Sequence, residues 1–111
     1  MTIVTLIKKI REVVLDETKK TWGDVADMLP AINTARHRLW GKRPEAFFLT
    51  KVLWQIPDDI SVTTGNIDVL DRYAEAIVAR AAHSLLMEQR RAGDKEKAAE
   101  QLTIFDRIIG G

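Results

Sequence analysis

The chain lacks cysteine entirely and contains only two histidines and three prolines among its 111 residues. Without cysteine it can form no disulfide, no thiolate nucleophile and no cysteine-rich zinc site. The two histidines, His37 and His83, lie on different predicted helices, and neither belongs to a metal-binding or catalytic motif. We therefore expect a protein that has no cofactor, no metal and no enzymatic activity, and that is stabilised by packing alone.

Long apolar runs are also missing. No stretch reaches the ~18 apolar residues that a membrane-spanning helix needs, and residues 1–14 carry charges every few positions instead of a signal-peptide block. We expect synthesis in the cytoplasm and no membrane partner. The length predicts a single domain, 1–111, with one core. Hydrophobic residues make up 46% and charged residues 30% of the chain, which is typical of a folded or self-associating protein.

Apolar periodicity predicts two helices in the first part of the chain. The first carries a stripe spaced by four, three and four residues: Ile3, Ile7, Ile10 and Val14,. Gly23 interrupts this period, and Asp24 can cap a second helix. The apolar face of that helix is Val25, Met28, Leu29, Ile32, Ala35, Leu39 and Trp40. Pro30 either kinks this helix or lies in its first turn.

The C-terminal half predicts two further helices. The third carries the stripe Leu70, Tyr73, Ala74, Ile77, Ala81 and Leu85 and ends near Gly93. Asp94 can cap the fourth, whose apolar positions are Ala98, Leu102, Phe105 and Ile109,.

The segment between the second and third helices, 48–66, has a different pattern. Its first half alternates like a strand, through Phe48, Thr50, Val52 and Trp54. Ile60, Val62 and Thr64 can pair back through the turn-prone Pro57-Asp58-Asp59. A helix from Pro44 to Gln55 also fits the apolar spacing. The predicted fold is mainly α, a small four-helix bundle with an extended or hairpin-like insert between the second and third helices.

Charge is unevenly distributed although the net charge is only +1. Cations concentrate between positions 36 and 51, as Arg36, Arg38, Lys42, Arg43 and Lys51. Acidic residues follow, as Asp58, Asp59, Asp68, Asp71 and Glu75. The basic segment is a solvated helix face, the second helix of a DNA-binding helix-turn-helix, or a surface that meets acidic residues of a second copy. Pro30 in the turn, a narrow polar face and a pI near 8.1 weigh against DNA reading.

Three tryptophans are many for a chain of this length. A four-helix core of this size has difficulty enclosing three indoles beside Phe47, Phe48 and Phe105, and aromatic residues are enriched at the centres of interfaces. We predict that Trp22 and Trp40 lie in the core and that Trp54 lies near a partner.

The order of motifs along nearly the whole chain is informative where no single motif is specific. A first helix is followed by a W-x-D step into a helix with an I-N-x-A core, then by RPEAF, the insert, LDRYAEAIVARAA and KAAEQLTIFDRI. This order resembles the head-tail adaptor proteins of tailed bacteriophages, also called head-completion or connector proteins. The residues that carry the resemblance are Trp22, Leu29, Ile32, Asn33, Arg43, Pro44, Arg72, Tyr73, Ala74 and Ala76. Pro30 and the short insert 48–66 depart from the family pattern.

The resemblance implies a ring, usually a dodecamer, that assembles beneath the portal protein after DNA packaging. Such a ring extends the DNA channel and provides a docking surface for the next tail or nozzle protein. We therefore expect a virion protein of the head–tail interface, made in the host cytoplasm, that lies transiently and non-specifically near genomic DNA. Its candidate partner or ring interface is Arg36, Arg38, Lys42, Arg43 and Trp54, and its candidate lumen or rim residues are Asp58 and Asp59. The alternative is a small helix-turn-helix-like DNA-binding regulator.

Overall fold

The computed structural model describes residues 1–15, 22–43, 46–47, 58–89 and 93–110. These residues contain four α-helices and one short π-helix: α1 (Ile3–Val14), the π-helix (Asp24–Met28), α2 (Leu29–Lys42), α3 (Asp71–Gln89) and α4 (Asp94–Ile108). No strand occurs within the described ranges. The predicted class, mainly α with a small four-helix bundle, is confirmed.

Helix α1 forms as the spacing of its apolar residues predicts. Thr2 caps its N-terminus, because the Thr2 hydroxyl accepts a hydrogen bond from the amide of Thr5 at 3.1 Å,. The predicted stripe is buried in full: Ile3, Ile7, Ile10 and Val14. Leu15 ends the helix in the left-handed conformation, with a φ of 58°, so the chain turns away from the helix axis at this residue.

Helix α2 has Pro30 in its first turn, which is one of the two alternatives that the sequence left open. The turn before it is the π-helix, in which the amide of Leu29 donates to the carbonyl of Asp24. Proline has no amide hydrogen, so it is tolerated where a helix begins. The predicted cap is wrong: Gly23, in extended backbone, is the capping residue. The amide of Gly23 donates to the carboxylate of Asp27 at 2.8 Å, so the first turn of the π-helix is fixed by its own acidic side chain.

Helix α3 is the central element and packs against α1, α2 and α4. Four residues of its predicted stripe are buried: Ala74, Ile77, Ala81 and Leu85. Gly93, with a φ of 83°, precedes α4 and adopts a conformation that favours glycine,. Asp94 is not the cap that the sequence predicted but the first residue of α4, and it is buried. The ring Nδ1 of His83 lies 2.8 Å from the carbonyl oxygen of Ala98 and joins α3 to α4.

Residues 58–70 lead into α3, and their second half lies beside the first residues of the chain. The amide of Ile67 donates to the carbonyl of Met1, and the amide of Ile3 donates to the carbonyl of Gly65, both at 2.9 Å. Ile67 and Val69 are buried. The end of this segment therefore belongs to the core, whereas most of residues 58–66 are exposed.

The predicted strand over Ile60, Val62 and Thr64 is absent from this segment, which is irregular. The physical reason is a pair of hydrogen bonds between Ile60 and α2. The amide and carbonyl groups of Ile60 are both hydrogen-bonded to the side chain of Asn33, so they are not available to a strand ladder. The other half of the predicted hairpin, and the alternative helix from Pro44 to Gln55, lie largely outside the described residues.

The tryptophans follow the prediction where the structure describes them. Trp22 is buried in the core, and Trp40 is half-buried and packs against it. Trp54, the candidate partner contact, lies outside the described residues.

Candidate binding surfaces

Arg36, predicted to face a partner, is instead one of the most buried side chains of the protein, with 2% of its surface exposed. Its guanidinium binds Asp68 with two contacts, from Nε to Oδ1 at 2.9 Å and from Nη2 to Oδ2 at 2.5 Å. Nη1 donates to Oδ1 of Asn33 and to the carbonyl of Asp58, each at 2.9 Å. All three nitrogens of Arg36 are thus used inside the chain, and its assignment to the partner interface is wrong.

Asn33 completes this buried network, which we call the Arg36 network and define as Asn33, Arg36, Asp68 and the backbone of residues 58 and 60. The amide of Ile60 donates to Oδ1 of Asn33 at 2.8 Å, and Nδ2 of Asn33 donates to the carbonyl of Ile60 at 3.0 Å. A side-chain amide that donates to and accepts from one residue fixes that residue much as a neighbouring strand would. The network therefore holds residues 58–60 and Asp68 against α2.

Asp58 and Asp59, the candidate lumen or rim residues, are both exposed and lie next to the Arg36 network. Oδ1 of Asp59 lies 3.0 Å from Nε2 of His37. Two acidic side chains are therefore exposed on backbone that hydrogen bonds from Arg36 and to Asn33 hold in place.

The remaining predicted cations divide into two groups. Arg43 is half-buried, and its Nε donates to the carbonyl of Ile109 at 2.7 Å, which secures the end of α4,. Its use inside the chain weakens its assignment to a partner surface. Arg38 and Lys42 are exposed, and neither makes an ion pair with another described residue. Of the four predicted interface cations, these two are free to meet a partner.

A surface groove of about 360 Å³ runs along the outer side of α1. Its lining is Val4, Ile7, Lys8, Arg11, Glu12, Asp24 and Thr63. At the groove, buried Arg11 donates from Nη2 to the carbonyl of Trp22 at 2.9 Å and to Oδ1 of Asp24 at 2.5 Å. This pair joins α1 to the start of the π-helix and fixes one wall of the groove.

One exposed valine lines this groove. Val4 is 62% exposed, and the buried Ile7 lines the groove beside it. Sequence reasoning missed this groove because its walls come from three separate parts of the chain. The one available signal was Val4, an apolar residue outside the predicted stripe of α1.

Among the described residues, no group of three or more histidine, aspartate or glutamate side chains could hold a metal ion. In the same part of the chain, no helix has the length and apolar character that crossing a membrane requires.

Comparison with known proteins found no match to this chain among protein-family models, curated proteins or solved structures.

Proposed function

We propose that this protein is a structural subunit that acts by binding other proteins and, from the resemblance, that it forms a ring between the portal and the tail of a bacteriophage. The observation that carries the first part is the groove beside α1, which is lined by the exposed Val4 and by Ile7. Concave apolar surface rimmed by charges is typical of sites that bind another protein. Lys8, Glu12 and Asp24 supply that rim.

The charged surfaces support a head-to-tail arrangement of copies. Arg38 and Lys42 are exposed near the end of α2, and Asp58 and Asp59 are exposed within the insert, beside the Arg36 network. When unlike patches on one chain are complementary, copies associate head to tail, and a suitable rotation closes the chain of copies into a ring. A dodecamer in the virion, bound to a portal protein and offering its free face to a tail or nozzle protein, is the assembly that the resemblance implies.

In this proposal Asp58 and Asp59 line the lumen or lower rim of the ring. Their carboxylates repel the phosphate backbone, so DNA passes through the channel without adhering to it.

The alternative, a small DNA-binding regulator, loses part of its support. It rested on four neighbouring cations, and two of them, Arg36 and Arg43, donate to acceptors inside the chain. Arg38 and Lys42 alone are few for a protein that neutralises several phosphates.

The test is assembly with a portal. Purified protein is imaged by electron microscopy alone and after mixing with portal rings of a candidate tailed phage, and we expect an added ring on one face of the portal. The variant Val4→Asp places a charge at the groove and should abolish this ring while circular dichroism remains that of the folded chain. Met87→Asp is the matched control, because Met87 is an exposed apolar residue that does not line the groove. Absence of portal binding together with strongly salt-dependent binding to any duplex DNA would favour the regulator instead.

A further inference from the structure

Arg80, in the middle of α3, is a cation that the fold withdraws from water without giving it a full set of partners. Its side chain is half-buried, and its Nε is buried with no hydrogen-bond partner in the described part of the protein. The guanidinium carbon lies 5.8 Å from the centre of the Phe105 ring, so one side of the group faces an aromatic surface. A buried donor without an acceptor carries a desolvation cost.

A second arginine, Arg38, comes from α2, and the helix register explains why it lies close. The two helices run in opposite directions, because the bridge between Phe47 and Val69 brings the end of α2 near the start of α3, whereas Pro30 at the start of α2 and Glu88 near the end of α3 line one cavity. Thr34 and Ser84 line the same small cavity between these helices. One turn further along α2 and one turn back along α3 places Arg38 beside Arg80.

Electrostatics agree with this register. Burial lowers the pKa of the Arg80 guanidinium, and the positive charge of Arg38 lowers it further, whereas Asp106 raises it. Within the described residues no carboxylate lies within ion-pair distance of either arginine. The fold therefore holds two arginines near each other, and no carboxylate of the described residues bridges them.

We propose that Arg38 and Arg80 form a binding site for one carboxylate group, supplied by an acidic side chain of a neighbouring protein subunit. A carboxylate has two oxygens and accepts charge-assisted hydrogen bonds from guanidinium groups in fixed geometry. Bound between the two arginines, it would offset their repulsion. The source of the carboxylate rests on the proposed function, whereas the site itself rests only on the geometry of α2, α3 and α4.

The surroundings favour a single carboxylate over the phosphates of DNA. Asp106 on α4 is exposed and close enough to affect Arg80, so a long polyanion would meet a negative charge beside the site. Lys42, one turn beyond Arg38, is the nearest exposed cation along α2. Tight binding to a nucleic acid backbone requires more contacts than these three cations supply.

The experiment is a nuclear magnetic resonance titration of the isolated full-length chain, observing the Nε–Hε signal of Arg80, which is identified by its loss in Arg80→Lys. Sodium acetate is added against sodium chloride at equal ionic strength. We expect a saturable shift with acetate and none with chloride. Arg38→Gln should require about tenfold more acetate, as expected on loss of one charge-assisted hydrogen bond. Lys95→Gln, an exposed change at the start of α4, should leave the titration unchanged.

Two results would overturn the proposal. An Arg80 signal that responds equally to acetate and chloride would mean that the two arginines form no specific site. A saturable shift on adding a short duplex DNA at 0.15 M salt, with none on adding acetate, would assign the site to phosphate instead. Because the titration uses the isolated chain, it can succeed or fail independently of ring assembly on a portal.

Discussion

Arg36 in α2 and Arg80 in α3 are both withdrawn from solvent in the same small bundle, in opposite surroundings. Arg36 has an acceptor for every guanidinium nitrogen, including a carboxylate that it binds with two contacts. Arg80 has an aromatic ring on one side, a second arginine nearby and a buried Nε without an acceptor. The same residue type therefore lies in two different surroundings, fully buried with its partners in one case and half-buried with an unpaired Nε in the other.

The comparison shows what a buried cation requires. Charge taken out of water is tolerated when its partners are already in the chain, and such a group then orients the segments that supply those partners. A cation whose partners are missing is a cost to the folded state that binding of an anion can offset. An arginine whose hydrogen-bond acceptors all lie within the chain thus stabilises the fold, whereas one that lacks some of them can bind an anion.

The largest loss of stability is expected from removing Arg36, the arginine whose guanidinium nitrogens all have acceptors. Arg36→Met keeps the length of the side chain and deletes its charge, leaving Asp68 with an unpaired carboxylate and Oδ1 of Asn33 with its bond from Ile60 alone. Breaking a buried pair from one side typically costs about 3–5 kcal/mol. Because a domain of this size has about 5–15 kcal/mol in total, urea unfolding should show a large drop in midpoint or loss of the folded state.

Two further variants make this result specific. Arg36→Met combined with Asp68→Leu removes both charges, and it should recover much of the lost stability because neither charge is left alone. Arg38→Met, an exposed change on the same helix, should alter stability by no more than about 0.5 kcal/mol. If Arg36→Met and Arg38→Met have the same small effect, the Arg36 network does not hold the fold.

Much of this architecture follows from the sequence, because local periodicity determines it. The stripe of α1 and four of the six positions predicted for α3 are buried as expected, since a helix with one apolar face has few ways to bury it,. The placement of Pro30 in the first turn of α2 was one of two stated alternatives. These features depend on residues close together in the chain.

The Arg36 network was not predicted, although one signal for it was present. Arg36 lies four residues after Ile32 and three before Leu39, so the helical period places it on the buried face of α2. Its charge led to a surface assignment, because arginine is rarely buried unless paired. The pairing depends on Asp68, which lies far along the chain, and no local pattern identifies such a partner. For the same reason, neither the groove beside α1 nor the proximity of Arg38 and Arg80 could be read from the sequence.

A smaller loss of stability is expected from replacing Asn33, the uncharged side chain of the Arg36 network. Asn33→Leu keeps a similar volume but removes both hydrogen bonds to Ile60 and one acceptor for Arg36. Unsatisfied buried groups cost about 1–3 kcal/mol, so urea unfolding should show a loss in that range. Amide hydrogen exchange gives a local measurement, because the amide of Ile60 should lose protection before the helices do. Thr34→Ala, an exposed neighbour on α2, is the control, and equal loss of protection in that variant would contradict the role of Asn33.

The smallest change in stability is expected from replacing Arg80, whose Nε has no acceptor among the described residues. Arg80→Met retains an apolar chain against Phe105 and removes both the desolvated charge and its repulsion with Arg38. Loss of the contact between the guanidinium and the aromatic ring costs about 0.5–1 kcal/mol, and relief of the repulsion acts in the opposite direction. The free energy of unfolding should therefore change by less than about 1 kcal/mol in either direction. The direct comparison is urea unfolding of Arg80→Met and Arg36→Met side by side in a chloride buffer free of carboxylates. A loss for Arg80→Met as large as that for Arg36→Met would mean that Arg80 already has its partner within the chain, and the distinction between the two arginines would fail.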